Sequence, residues 1–128
     1  MTDLETIRNW VRGYVRAWES NDPADIRALF TEDAHYFTEP HAAPWVGHDE
    51  IVREWLDRKD EPGDHIFRFE VLAVDGDLGF VRGWTTYPGE KPKEYGNLWV
   101  VRVQDDGRAS EYVEWWVRFR DATPPFPG

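Results

Sequence analysis

The chain has 128 residues, enough to bury a core as one domain. Its net charge of −10 repels nucleic-acid phosphates and anionic lipid, so neither nucleic acid nor a membrane surface is expected as a partner. The absence of cysteine excludes disulfides, a thiol nucleophile and thiolate metal sites; with no apolar run of membrane-spanning length and no leader-like start, the chain reads as soluble and cytoplasmic.

Thr2 and Glu5 fit a capping box at the start of a long first helix. Leu4, Ile7, Val11, Tyr14, Val15 and Trp18 recur at helical spacing, and Arg8, Arg12, Arg16 and Glu19 fall on the opposite side. Trp10 is expected to face a sheet surface or a subunit interface. Ser20-Asn21 stops the helix. Asp22 caps a second one, with Pro23 at its first position and Ile26, Leu29 and Phe30 on its apolar side. A strand over 34–38 follows and ends at Glu39-Pro40, because proline has no N–H to give a sheet. One more proline, Pro44, leads to Trp45 and Gly47. A third helix starts near His48, buries Ile51, Val52, Trp55 and Leu56, and ends before Pro62-Gly63. His65 is expected in solvent.

The remainder reads as strands over 66–74, 79–87, 95–104 and 110–119. Asp75-Gly76, Pro88-Gly89 and Asp106-Gly107 turn the chain between them. Such short turns make sequential strands antiparallel neighbours. The pattern predicts an α+β domain over 1–120: three N-terminal helices packed on a strongly curved antiparallel sheet that forms a half-open cone. The tail over 121–128 is too rich in proline for helix or sheet, and is expected to hang free or to lie on the surface or on a partner subunit.

Period-two alternation assigns inward faces. Tyr112, Glu114 and Trp116 share one on the last strand, and Asn97, Trp99, Val101 and Val103 share one on the strand before it. The choice on the 79–87 strand is Phe80, Arg82, Trp84 and Thr86, and on the 66–74 strand Phe67, Phe69, Val71 and Ala73. The eight tryptophans can fill this interior or line a cavity in it. Rigid bicyclic rings do not easily fill a cone to native density, so a residual cavity, mostly apolar with a few polar groups, is expected.

Tyr14 to Trp18, Asn21-Asp22, Ala28-Leu29-Phe30, Asp33-Ala34, Glu39-Pro40, Pro44, Gly47 and Ile51, followed by the run from Val74 to Asp77, Trp84, Asn97 to Trp99 and Glu114 to Trp116, resemble the nuclear transport factor 2-like superfamily. The similarity is to its polyketide-cyclase and ketosteroid-isomerase branch and spans residues 3–119. The resemblance implies a helix-and-cone fold, a homodimer through the outer sheet face, and a site in the cone. It places Tyr14 where a ketosteroid isomerase has a tyrosine that donates to the substrate oxygen. Glu39, one residue out of register, stands where the general base precedes a proline. The isomerase's second donor, a protonated aspartate, falls on Trp99, with Asn97 one step away on the same face. The fold hosts enzymes, carriers and docking modules alike.

Glu39, Tyr14 and Asn97 are therefore the catalytic candidates. Glu39, walled by Phe37, Trp45 and Trp55, would have its pKa raised towards neutrality; otherwise it is a solvated loop side chain. Trp18, Phe37, Trp45, Trp55, Arg82, Trp84, Trp99, Tyr112, Glu114 and Trp116 are the ligand-binding candidates. Glu114 and Arg82 are expected to pair inside the cone, as a structural ion pair or as a fork for a polar ligand group. His35, Glu39 and His41 have the residue types of metal ligands, but Pro40 bends the chain among them and no second signature supports a site. No metal and no cofactor are expected. Two functional readings follow. One is a pocket protein for an apolar or aromatic metabolite acting as a cofactor-independent isomerase or cyclase. The other is a non-catalytic binding or dimeric interaction module.

Overall fold

Residues 2–119 are described by a computed structural model, and the tail expected over 121–128 lies outside them. The first helix, α1, is Leu4–Ser20. Asp3, rather than the expected Thr2, is its N-cap and accepts from the Thr6 N–H. A carboxylate one residue nearer the helix serves that end, which leaves the Thr2 hydroxyl to donate to the Val103 carbonyl. The buried stripe is Ile7, Trp10, Val11, Tyr14 and Ala17, while Leu4 is exposed. Trp10 thus belongs to the core rather than to a surface. Its three- and four-residue spacing from Ile7 and Tyr14 puts it on their side, and its indole N–H donates to the Leu29 carbonyl.

Asn21 adopts the left-handed conformation that closes α1, and Asp22 caps α2, Pro23–Arg27, with Pro23 at its start. Strand β1, Phe30–Phe37, begins four residues earlier than expected. It is followed by the two-residue β2, Trp45–Val46, and by α3, Gly47–Asp57. The four long strands are β3, Ile66–Asp75; β4, Leu78–Tyr87; β5, Lys93–Val103; and β6, Ala109–Phe119.

The sheet is six-stranded, in the order β2-β1-β6-β5-β4-β3, and is not closed. Every pairing but one is antiparallel. The exception is β1, which runs parallel to β6 and makes the sheet mixed. The helices and the unclosed sheet form the expected α+β half-cone. No helix among the described residues is long and apolar enough to cross a membrane.

The face assignment holds on β5 and β6 and inverts on β4. There the buried set is Gly79, Val81, Gly83 and Thr85, so Arg82 and Trp84 turn outward. The reason is steric. A Cβ on Gly79 would collide with the Ile7 side chain of α1, and one on Gly83 would come within 2.6 Å of the Phe67 ring. The inner face of β4 is small because the helix and Phe67 occupy the space in front of it. On the outside Arg82 pairs with Glu70 rather than Glu114, and the Arg68 and Arg82 guanidinium groups lie 5.2 and 5.0 Å from the Trp84 ring. On β3 a register shift between Val71 and Ala73 puts Val74, not the expected Ala73, against the core.

Candidate functional site

Two adjoining chambers open at the wide end of the cone, with volumes of about 620 and 160 Å³. Both are lined by Trp18, Asp60, Asn97 and Glu114. The outer chamber adds Thr85, Tyr87 and Tyr95; the inner one adds Tyr14, Tyr36, Trp55 and Trp99. The cavity, expected to be mostly apolar, is more polar than that: charged and amide groups share the walls with the aromatic rings, and convergent polar groups of this kind orient a ligand in a small-molecule site.

Glu114 sits where the chambers join. The register of β5 with β6 puts it directly across from Trp99, on the face that Asn97 shares. Its Oε2 accepts from the Trp99 indole N–H at 2.5 Å and from the Asn97 amide at 3.1 Å. Thr85 donates to the Asn97 carbonyl oxygen at 2.8 Å, which turns the amide NH₂ towards the carboxylate. No described residue donates to Oε1. Burial pushes the Glu114 carboxyl up to about 7, against the opposing pull of the Asn97 and Trp99 hydrogen bonds.

Beside it the Tyr14 and Tyr36 hydroxyls lie 2.7 Å apart in the core. One proton is shared between them, which leaves a second O–H for another acceptor. Among the described residues none hydrogen-bonds the buried Tyr112 hydroxyl with good geometry, although the Tyr14 and Tyr36 hydroxyls lie close enough to interact with it. Burial, reinforced by the nearby Glu114 charge, raises all three hydroxyls, and Tyr36 also raises Tyr14. They are neutral donors near pH 7. Asp60 closes the other wall: its Oδ2 accepts from the Trp18 indole and the Tyr87 hydroxyl, at 2.8 and 2.9 Å. His65 is not free in solvent as expected. It stacks on Trp18 at a centroid distance of 3.7 Å, and burial lowers its pKa.

The cone brings together Tyr14, Trp18, Trp45, Trp55, Asn97, Trp99, Glu114 and, at the rim, Trp116, with Tyr112 buried behind them. Phe37, Arg82 and Trp84 do not line it. Alternation along the longer β1 turns Ala34 and Tyr36 inward and leaves Phe37 on the other face. Glu39 lies outside the cone as well. It is exposed on the turn after β1, where its carbonyl accepts from the Ala42 N–H. It lines a separate groove on the outer face with Pro40, His41, Arg82, Leu98 and Trp115, so the walls expected from Phe37, Trp45 and Trp55 are not around it. Among the described residues, no three His, Cys, Asp or Glu side chains come together as metal ligands; His35, Glu39 and His41 are included in that statement. Residues of the site that the sequence did not point to include Tyr36, Asp60, Thr85, Tyr87, Tyr95 and the lysines at 59, 91 and 93. Tyr36 could have been found from its two-residue spacing to Ala34. Asp60, in the loop after α3, carries no local signal.

The sequence matches the family model for the SnoaL-like domain over residues 11–112. No curated protein matches it. Among solved structures, a ketosteroid isomerase-like protein from Erwinia carotovora atroseptica superposes with a TM-score of 0.64 at 23% identity, covering 89% of this chain and 95% of that one. A Kribbella flavida protein provisionally named a ketosteroid isomerase gives 0.69 at 25% identity, over 100% of this chain and 87% of that one. A loop-truncation variant of IdmH gives 0.65 at 20% identity, over 85% and 91% of the two chains. The likenesses at 23% and 20% identity speak for the fold alone. With four-fifths of its length matched by one family model, the chain belongs to the SnoaL-like domain family of the nuclear transport factor 2-like superfamily.

Proposed function

We propose that the cleft binds an apolar or aromatic small molecule carrying a carbonyl-type oxygen, and that Glu114 moves a proton on it in a cofactor-independent isomerase- or cyclase-type reaction. The observation that carries this reading is the Glu114 carboxyl itself. It lies at the junction of two cavities, fixed by Asn97 and Trp99, with its pKa pushed up to about 7. Such a group is divided between acid and base near neutral pH, as proton transfer requires.

The step balances without a cofactor. Oε1 of ionised Glu114 takes a proton from a carbon next to the carbonyl, and the electron pair left behind moves onto the oxygen. The Tyr14–Tyr36 pair donates its spare O–H to the developing oxyanion. The protonated carboxyl then returns the proton at another carbon; in a cyclase-type reaction the enolate carbon instead bonds to a second carbonyl carbon of the same molecule, the C=O electron pair moves onto that oxygen, and the oxygen takes the proton from Glu114. Asn97 here positions Glu114 rather than serving as an oxyanion donor. In a ketosteroid isomerase the acid at the level of Trp99 is an oxyanion donor; here Glu114 stands across from Trp99 on the next strand, and the proton-moving role given to it rests on its position in the cleft and its raised pKa.

The test is a panel of β,γ-unsaturated ketones assayed for double-bond migration, together with displacement of a neutral fluorescent probe. Glu114→Gln should lower turnover by about 10²–10⁴-fold while binding holds within a few-fold. Equal loss of both, or binding without turnover on any ketone, favours the second reading, a non-catalytic carrier. The homodimer belongs to the same proposal. Leu98, Trp115 and Val117 are exposed on the outer sheet face, where a second copy would cover them. Sedimentation at micromolar concentration should give a dimer, and a monomer would remove this part.

A further inference from the structure

The chain carries only three lysines, Lys59, Lys91 and Lys93, and all three line the cleft. This concentrates ammonium groups at one place in a protein of net charge −10. Lys91 lies in the connection between β4 and β5 and Lys93 opens β5, paired with Tyr87, with prolines at 88 and 92 stiffening the turn. Lys59 has an ion-pair partner, Glu61 at 3.7 Å. Lys91 and Lys93 have none among the described residues. The acids in the same walls are already placed: Asp60 receives two donors, and Glu114 lies deeper, where the inner chamber begins.

A chain with this charge repels anions at long range. Lys91 and Lys93 are the two ammonium groups in the outer chamber, beside Asp60 and Glu114, and without ion-pair partners among the described residues they can pair with an anionic group of a ligand at that point. Between them and Glu114 the outer chamber offers Trp18, Tyr95 and Trp116. We infer that the cleft takes an organic anion: a carboxylate-bearing molecule with an aromatic or alicyclic body, its charged group on Lys91 and Lys93 and its body along the three aromatics towards Glu114. This rests on the cleft being the ligand site, and adds the class of ligand.

Two probes share one aromatic body and differ in charge. Anilinonaphthalene sulfonate stands in for the anion, and N-phenylnaphthylamine is neutral. Both are titrated by fluorescence at low and physiological salt. The Lys91→Gln/Lys93→Gln variant should weaken the sulfonate about tenfold and leave the neutral probe unchanged, and salt should weaken only the sulfonate. Trp18→Leu, in the cleft, should weaken both probes; Trp115→Leu, on the outer face, should weaken neither. If the lysine variant weakens both probes equally, or neither, the organic-anion assignment is overturned, while loss of the neutral probe in Trp18→Leu still upholds the cleft. If Trp18→Leu weakens neither probe, the cleft reading falls too, and with it the assignment.

Discussion

Replacing Glu114 by glutamine should stabilise the protein at alkaline pH and leave it nearly unchanged at acid pH. In the folded state the carboxyl titrates at about 7, against 4.5 when unperturbed. Between those values the unfolded chain has released a proton that the folded chain still holds, so stability falls as pH rises through the window and is flat above it. At 1.36 kcal/mol for each pH unit, the loss by pH 8 is roughly 3 kcal/mol at most. Glutamine does not ionise, its carbonyl can still accept from the Trp99 indole, and its volume matches. The assay is urea unfolding of both proteins at pH 5 and pH 8. The account expects similar midpoints at pH 5 and a variant more stable by ~2–3 kcal/mol at pH 8. A variant less stable than the parent at pH 8 would refute the reasoning, since it would mean that the ionised carboxylate holds the fold together there.

Asn97→Ala removes a hydrogen bond that favours the ionised form, so the Glu114 midpoint should move above 7, which a pH titration of the carboxyl would report. Tyr14→Phe breaks the hydroxyl pair and leaves the Tyr36 O–H buried without its partner, at a cost of ~1–2 kcal/mol in urea unfolding. Gly83→Ala puts a Cβ against the Phe67 ring and should cost ~1–3 kcal/mol by the same measurement; a neutral effect would show that Phe67 can move aside.

Helices α1 and α3 and the four long strands were legible because their signals are local. Helical spacing marks α1, and Asp75-Gly76 and Asp106-Gly107 each turn one strand onto the next. The parallel pairing of β1 with β6 was not, because nothing short connects them. The face of β4 was misread for a specific reason. Large residues suggested the inside, yet Trp84 and Arg82 are outside, and two glycines are inside because Ile7 and Phe67 fill the space before them. That inversion also assigned Glu114 the wrong partner. The carboxylate was legible as an inward group on β6, but its real neighbours, Asn97 and Trp99, lie across the strand pairing, and the Arg82 expected beside it binds Glu70 behind the sheet. Glu39 drew attention through its proline. The chain does break there, but the turn carries the side chain to the outer groove.

The most direct measurement is carbon-detected NMR titration of the Glu114 carboxyl, assigned by comparison with Glu114→Gln, with and without the neutral probe. The account predicts a midpoint near 7 that moves when the probe fills the cleft. A midpoint near 4.5, unchanged by the probe, would contradict it.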